Sequence, residues 1–105
     1  MAAKILGQAA GTGALTALYT VPAGREAVAS TCVLVNTGTS AAPVRVTVAK
    51  AGAADAPAHT VLDYSLPAGG RLALTEGWAV AGGDVVRLNA PAAVAATLFG
   101  SEVTL

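Results

Sequence analysis

Few side chains in this 105-residue sequence are able to do covalent or acid-base chemistry, and their spacing limits what they can build. A hydrolytic site needs a nucleophile, a base and a group that orients the base. The one histidine is His59, so such a site has to recruit it together with Asp63 and a serine. Both lie in His59-Thr60-Val61-Leu62-Asp63-Tyr64-Ser65, which reads as a strand with a polar face. Their even spacing puts them on one strand face roughly 13 Å apart, at ~3.3 Å per residue, beyond direct contact. His59 is therefore expected as a solvent-exposed residue at the start of a strand. Glu76 and Asp84 flank the Trp78 segment and approach each other only across a hairpin. There they form either a weak cation site, a glycosidase-like pair, or two solvated turn residues, and the last reading is preferred. Gly82-Gly83-Asp84 is turn chemistry, without the lysine and following helix of a phosphate loop. Cys32 sits in an apolar run with no second cysteine in the sequence, which excludes an intrachain disulfide and reads as a small buried hydrophobe. The expectation is a protein that is not an enzyme, with no catalytic residue, no metal ligand and no cofactor.

Binding chemistry is equally sparse. The aromatic residues are Tyr19, Tyr64, Trp78 and Phe99, and a sugar platform needs two or more of them on one surface. Trp78, beside Gly77, is the best candidate for an exposed ring, with packing in the core or at a subunit interface as the preferred reading. Six basic and six acidic residues are scattered singly and sum to zero, so no basic stripe exists for nucleic acid. With 11% charged residues there is little electrostatic repulsion between copies, which suits life in an assembly. The first residues offer only Ile5 and Leu6 before Gly7, which is no signal-peptide core, and no apolar run has the length of a membrane span. Synthesis in the cytoplasm without export, and no membrane partner, are the expectations.

The elements that position these residues are short and β-rich. Leu15 to Val21, the turn Pro22-Ala23-Gly24-Arg25 and Glu26 to Asn36 read as two strands folding back on each other as a hairpin. Pro22 is expected at the first central position of a type I turn. Leu66-Pro67-Ala68-Gly69-Gly70-Arg71 repeats that chemistry, as recurrent turn signals and not as a true repeat. Val44, Val46 and Val48 alternate inward with Arg45, Thr47 and Ala49 outward, and residues 51–58 read as a long exposed loop. Leu72, Leu74, the Trp78 segment, Val85 to Ala90 and Val94 to Phe99 supply further strands, and Gly100 is expected to kink the chain into a last one. Eight or nine short antiparallel strands with regular turn signals predict an all-β protein, a β-sandwich of jelly-roll type, with an immunoglobulin-like sandwich as the alternative. Residues 1–14 are expected to form an N-terminal arm or first strand with a flexible link, ahead of a single domain over 15–105. A hydrophobic content of 54% that leans on Ala, with 12 Gly, predicts a thin core.

The order Lys4-Ile5-Leu6-Gly7-Gln8, Leu18-Tyr19-Thr20-Val21-Pro22-Ala23-Gly24, and Val33-Leu34-Val35-Asn36 with a Gly/Thr loop resembles a family of small tailed-bacteriophage virion proteins. Leu66-Pro67-Ala68-Gly69, Gly83-Asp84-Val85-Val86 and Leu98-Phe99-Gly100-Ser101-Glu102-Val103 extend the resemblance over nearly the whole chain. It implies a β-sandwich structural protein of the virion, a homotrimer, with capsid or tail proteins as partners and no catalytic residue. Decoration or cement on the head is the expected role, because no coiled-coil heptads or collagen-like repeats project the domain as in a fibre. The alternative is a tail, baseplate or fibre component that binds a host receptor or polysaccharide. The contact candidates are Lys4, Ile5 and Leu6 of the arm, and Trp78. If the arm is a strand donor to a neighbour, removing residues 1–8 releases the protein from particles without unfolding it.

Overall fold

The computed structural model describes residues 4–54 and 56–104. β-Branched and aromatic runs form nine strands: β1 (Lys4–Ala10), β2 (Leu15–Thr20), β3 (Arg25–Asn36), β4 (Ala42–Ala49), β5 (Thr60–Leu66), β6 (Arg71–Leu74), β7 (Trp78–Ala81), β8 (Val85–Asn89) and β9 (Val94–Thr104). Two antiparallel sheets result. One runs β1-β9-β3-β6, with β7 also paired to β3, and the other runs β2-β8-β4-β5. The pairings are nested: β1 with β9, β2 with β8, β3 with β6 and β7, and β4 with β5. The chain is thus one long hairpin wound up on itself, which is the jelly-roll sandwich.

Pro22 to Arg25 does not close a hairpin, contrary to the sequence expectation. β2 and β3 lie in different sheets, and the turn carries the chain across the sandwich. Each strand has a buried side that needs cover, Leu18 and Tyr19 on β2 and Ala27 and Ala29 on β3, and both sides join one core. The Arg25 amide donates to the Pro22 carbonyl at 3.2 Å, so Pro22 opens the turn, one place earlier than expected. Gly24 takes the positive φ of 77° that its third position requires. Pro67 and Gly69 repeat the arrangement, with the Gly70 amide on the Pro67 carbonyl at 2.8 Å, and again lead from one sheet to the other, β5 to β6.

The core is as thin as its composition implies. Leu34, Val46, Val86, Val94 and Leu98 are fully buried, with Ala29, Ala90 and Ala96 between them. Val44, Val46 and Val48 do face it. Thr47 and Ala49 are not exposed as expected, since both are buried. The 3-10 turns Lys50–Gly52 and Pro57–His59 pack against β8 and β4, and Arg87 donates to the Ala53 carbonyl at 2.7 Å, tethering a connection whose own side chains stay mostly exposed. Gly100 does not kink the chain, for β9 runs through it. A Cβ there would strike the Val28 carbonyl oxygen and Leu6, so glycine lets β9 and β3 approach.

Residues 4–10 form the first strand and not a free arm. β1 pairs with β9 along its length, and Leu6 packs on the core. Residues 1–3 and Leu105, placed by the sequence in the arm and the last strand, lie outside the described residues. Asn36 is completely buried and satisfied: its amide donates to the Ser40 and Leu66 carbonyls at 2.9 and 3.0 Å, and its oxygen accepts from the Gly38 amide at 2.9 Å.

Removing residues 1–8 is accordingly expected to lower stability by at least about 2 kcal/mol, seen as a fall of roughly 10 °C in thermal melting. An unchanged melting temperature contradicts the strand assignment. Asn36→Ala leaves three backbone groups without their partner and should cost about 2–3 kcal/mol in urea unfolding, with an unchanged m-value.

Candidate functional site

The groups with chemical potential are placed apart. His59 closes the second 3-10 turn, one residue before β5, so it shares no strand face with Asp63. It is half-buried, not solvent-exposed as expected, and its Nδ1 is enclosed without a hydrogen-bond partner, as is Thr47 Oγ1. Asp63 stands across from Arg45 in the β4–β5 ladder, where Arg45 Nε donates to Thr60 Oγ1 at 3.2 Å. Glu76 accepts from Trp78 Nε1 at 3.2 Å. Asp84 accepts from the Ala51 and Ala81 amides at 2.8 and 2.9 Å, and these amides, Ala81 first, lower its carboxyl below the ordinary range. It is a turn residue that locks the β7–β8 corner to the chain after β4. Among the described residues no group of three or more His, Cys, Asp or Glu is placed to hold a metal ion. Cys32 is 1% exposed, and burial pushes its thiol up to about 11, away from thiolate chemistry at neutral pH.

The densest electrostatic arrangement centres on Glu102. From β9 its carboxylate, 8% exposed, accepts from Tyr19 of β2, from Arg25 Nη1 at 2.7 Å and from Lys4 Nζ at 3.3 Å. Four strands meet at this one acid: β1, β2, β3 and β9. The Tyr19 hydroxyl first, then Arg25, holds the Glu102 carboxyl down at about 2. Burial, with the negative carboxylate beside it, pushes the Tyr19 phenol above its ordinary range. Such a node fixes the sandwich at one end. Sequence reading counted Glu102 among scattered charges, and the only available signal was its place in a strand with a tyrosine and two cations far away in the chain.

Of the predicted contact residues, Lys4 belongs to this node, and Leu6 and Trp78 pack half-buried against the core. Ile5 is free on the surface, 53% exposed, directly across from Phe99 at 37%. With Val28 and Val103 they make an apolar band on the outer face of the larger sheet. A groove of about 350 Å³ crosses this face past Val28, Ala79, Ala81, Ser101 and Val103, with Glu26 and Asp84 at its margin. A second of about 340 Å³ runs past Arg45, Asp63 and Asn89 on the smaller sheet. Tyr64 and Val61 are further exposed apolar side chains on β5, on opposite sides of the strand: Tyr64 is paired with the inward-facing Val44, and Val61 is the bulged residue. Every sheet edge is irregular: bulges leave Leu6, Leu18 and Val61 unpaired in β1, β2 and β5, and the last edge is broken between β6 and β7. Such edges resist strand addition, so the faces are the surfaces left for association. No helix among the described residues is long and apolar enough to cross a membrane. No protein-family model matches the chain, and the curated proteins give no match.

The depressed Glu102 carboxyl sets a pH dependence. Its folded-state value near 2 lies below the ordinary 4.5, so its contribution to stability is complete above about 4.5 and fades as pH falls toward 2. Glu102→Gln should therefore melt below the parent at neutral pH, and the gap should close on acidification. A gap that stays constant down to the acid limit contradicts the node.

Proposed function

We propose that the chain is a structural protein of a bacteriophage particle, a decoration or cement subunit that stabilises the head lattice through non-covalent contacts. The observation that carries this reading is exposed apolar surface on both sheets, Ile5, Val28, Phe99 and Val103 on the outer face of the larger and Tyr64 on the edge strand β5 of the smaller. A module with two such surfaces bridges two neighbours, and symmetry multiplies a small contact energy over many copies. The low charge density and the sequence resemblance to small virion proteins support the same conclusion. Guarded edges direct the contact to side-chain packing, so strand donation by residues 1–8 drops out of the mechanism.

Imaging of labelled protein on particles tests the role. The expected result is an icosahedral shell lattice, with Tyr64→Asp reducing occupancy while the isolated protein melts as before. Density along the tail axis supports the tail or baseplate alternative, and absence from particles overturns both.

A further inference from the structure

We propose that the outer face of the larger sheet is a two-fold self-association surface, and that its occupant is a second copy of this chain. This goes beyond the particle role and stands or falls on the isolated protein.

The argument starts at one bulge. Between Ala29 and Thr31 the β3–β9 register shifts by one residue, leaving Ser30 unpaired. Ala27, Ala29, Cys32 and Leu34 are buried, so the outer face of β3 carries Glu26, Val28 and Ser30 before the bulge and Thr31, Val33 and Val35 after it. These side chains are arranged symmetrically about the bulge. A half-turn about an axis lying across the strands at this point exchanges Glu26 with Val35 and Val28 with Val33. Ala81 is across from Glu26, and Arg71 is across from Val35, so the same operation exchanges Ala81 with Arg71. When two copies stack on this axis, Arg71 of each lies over Ala81 of the other, beside Glu26. Neither Glu26 nor Arg71 has an ion-pair partner among the described residues, and the stacking supplies one twice. Phe99, opposite Thr31, falls near the axis and meets its own copy.

Shape and size agree with the charges. Four strands at ~4.8 Å and about eleven residues at ~3.3 Å give roughly 700 Å² of face, close to the ~800 Å² per partner of stable interfaces. Alanines at positions 73, 79 and 81 keep the flanks low, so two sheets can close to the usual ~10 Å. A cyclic trimer joins two different patches and leaves this symmetry unused.

Sedimentation of the full chain tests the proposal, with a species of twice the 10.1 kDa chain mass expected. Glu26→Arg and Arg71→Glu should each weaken the dimer at least about tenfold, and the double reversal should restore it to within about threefold. Phe99→Asp should give monomers. All of these are surface positions, and circular dichroism melting checks that each variant folds; the charge reversals decide the matter if Phe99→Asp does not. A parent chain that is monomeric at millimolar concentration or trimeric, single reversals without effect, or a double reversal that fails to rescue, each overturns the proposal.

Discussion

The ladder between β3 and β9 is the constraint on which the rest of this sandwich depends. It pairs Arg25 with Thr104 at one end and Asn36 with Val94 at the other, and it is the longest contact in the molecule. A core built so largely from alanine and valine offers few large side chains to interlock, so apolar packing alone holds the two sheets loosely in register. Polar pins at the two ends of the ladder remove that freedom. Asn36 ties the end of β3 to the Leu66 carbonyl in the opposite sheet. Near the other end, Glu102 gathers Tyr19 from the opposite sheet and Arg25 and Lys4 from its own. Both pins are hydrogen-bonded to several partners, Asn36 fully buried and Glu102 half-buried, and that makes them specific as well as stabilising.

The local chemistry of the strands was legible in the sequence, while their partners were not. Pro22-Ala23-Gly24 and Pro67-Ala68-Gly69 announce sharp turns by residue type, and both are turns. Whether such a turn closes a hairpin or crosses a sandwich depends on the strands that lie farther along, β8 and β9, and nothing within ten residues encodes that. Alternation at Val44, Val46 and Val48 identified the core side correctly. Thr47 and Ala49 are buried and not exposed because the 3-10 turns Lys50–Gly52 and Pro57–His59 fold back onto β8 and β4, from a segment with no periodic pattern to reveal it.

The same division holds for the candidate surfaces. Trp78 was legible as a packed ring and Cys32 as a buried thiol, because bulky or apolar residues within strands leave few alternatives. Glu102 was not legible, because Tyr19, Arg25 and Lys4 are 83, 77 and 98 residues away. Isolated charges in a neutral chain look alike until the fold brings them together. His59 was misplaced by a single residue of strand boundary, enough to remove it from the face of Asp63.

Bulges connect the interior of this molecule to its exterior. In β1, β2 and β5 they spoil the edges for strand addition, and in the centre of β3 the bulge at Ser30 moves the inward set from Ala27 and Ala29 to Cys32 and Leu34. Were β3 regular there, with Ser30 paired to Phe99, Thr31 would turn inward and Cys32 and Leu34 outward, and the core would lose a leucine to solvent. The displacement that keeps Cys32 and Leu34 inside is therefore the one that sets Thr31, Val33 and Val35 on the outer face, beside Phe99 of β9. Burial of the core and exposure of the contact face are two results of one local irregularity, which is why a chain with so few reactive groups can still carry a defined surface.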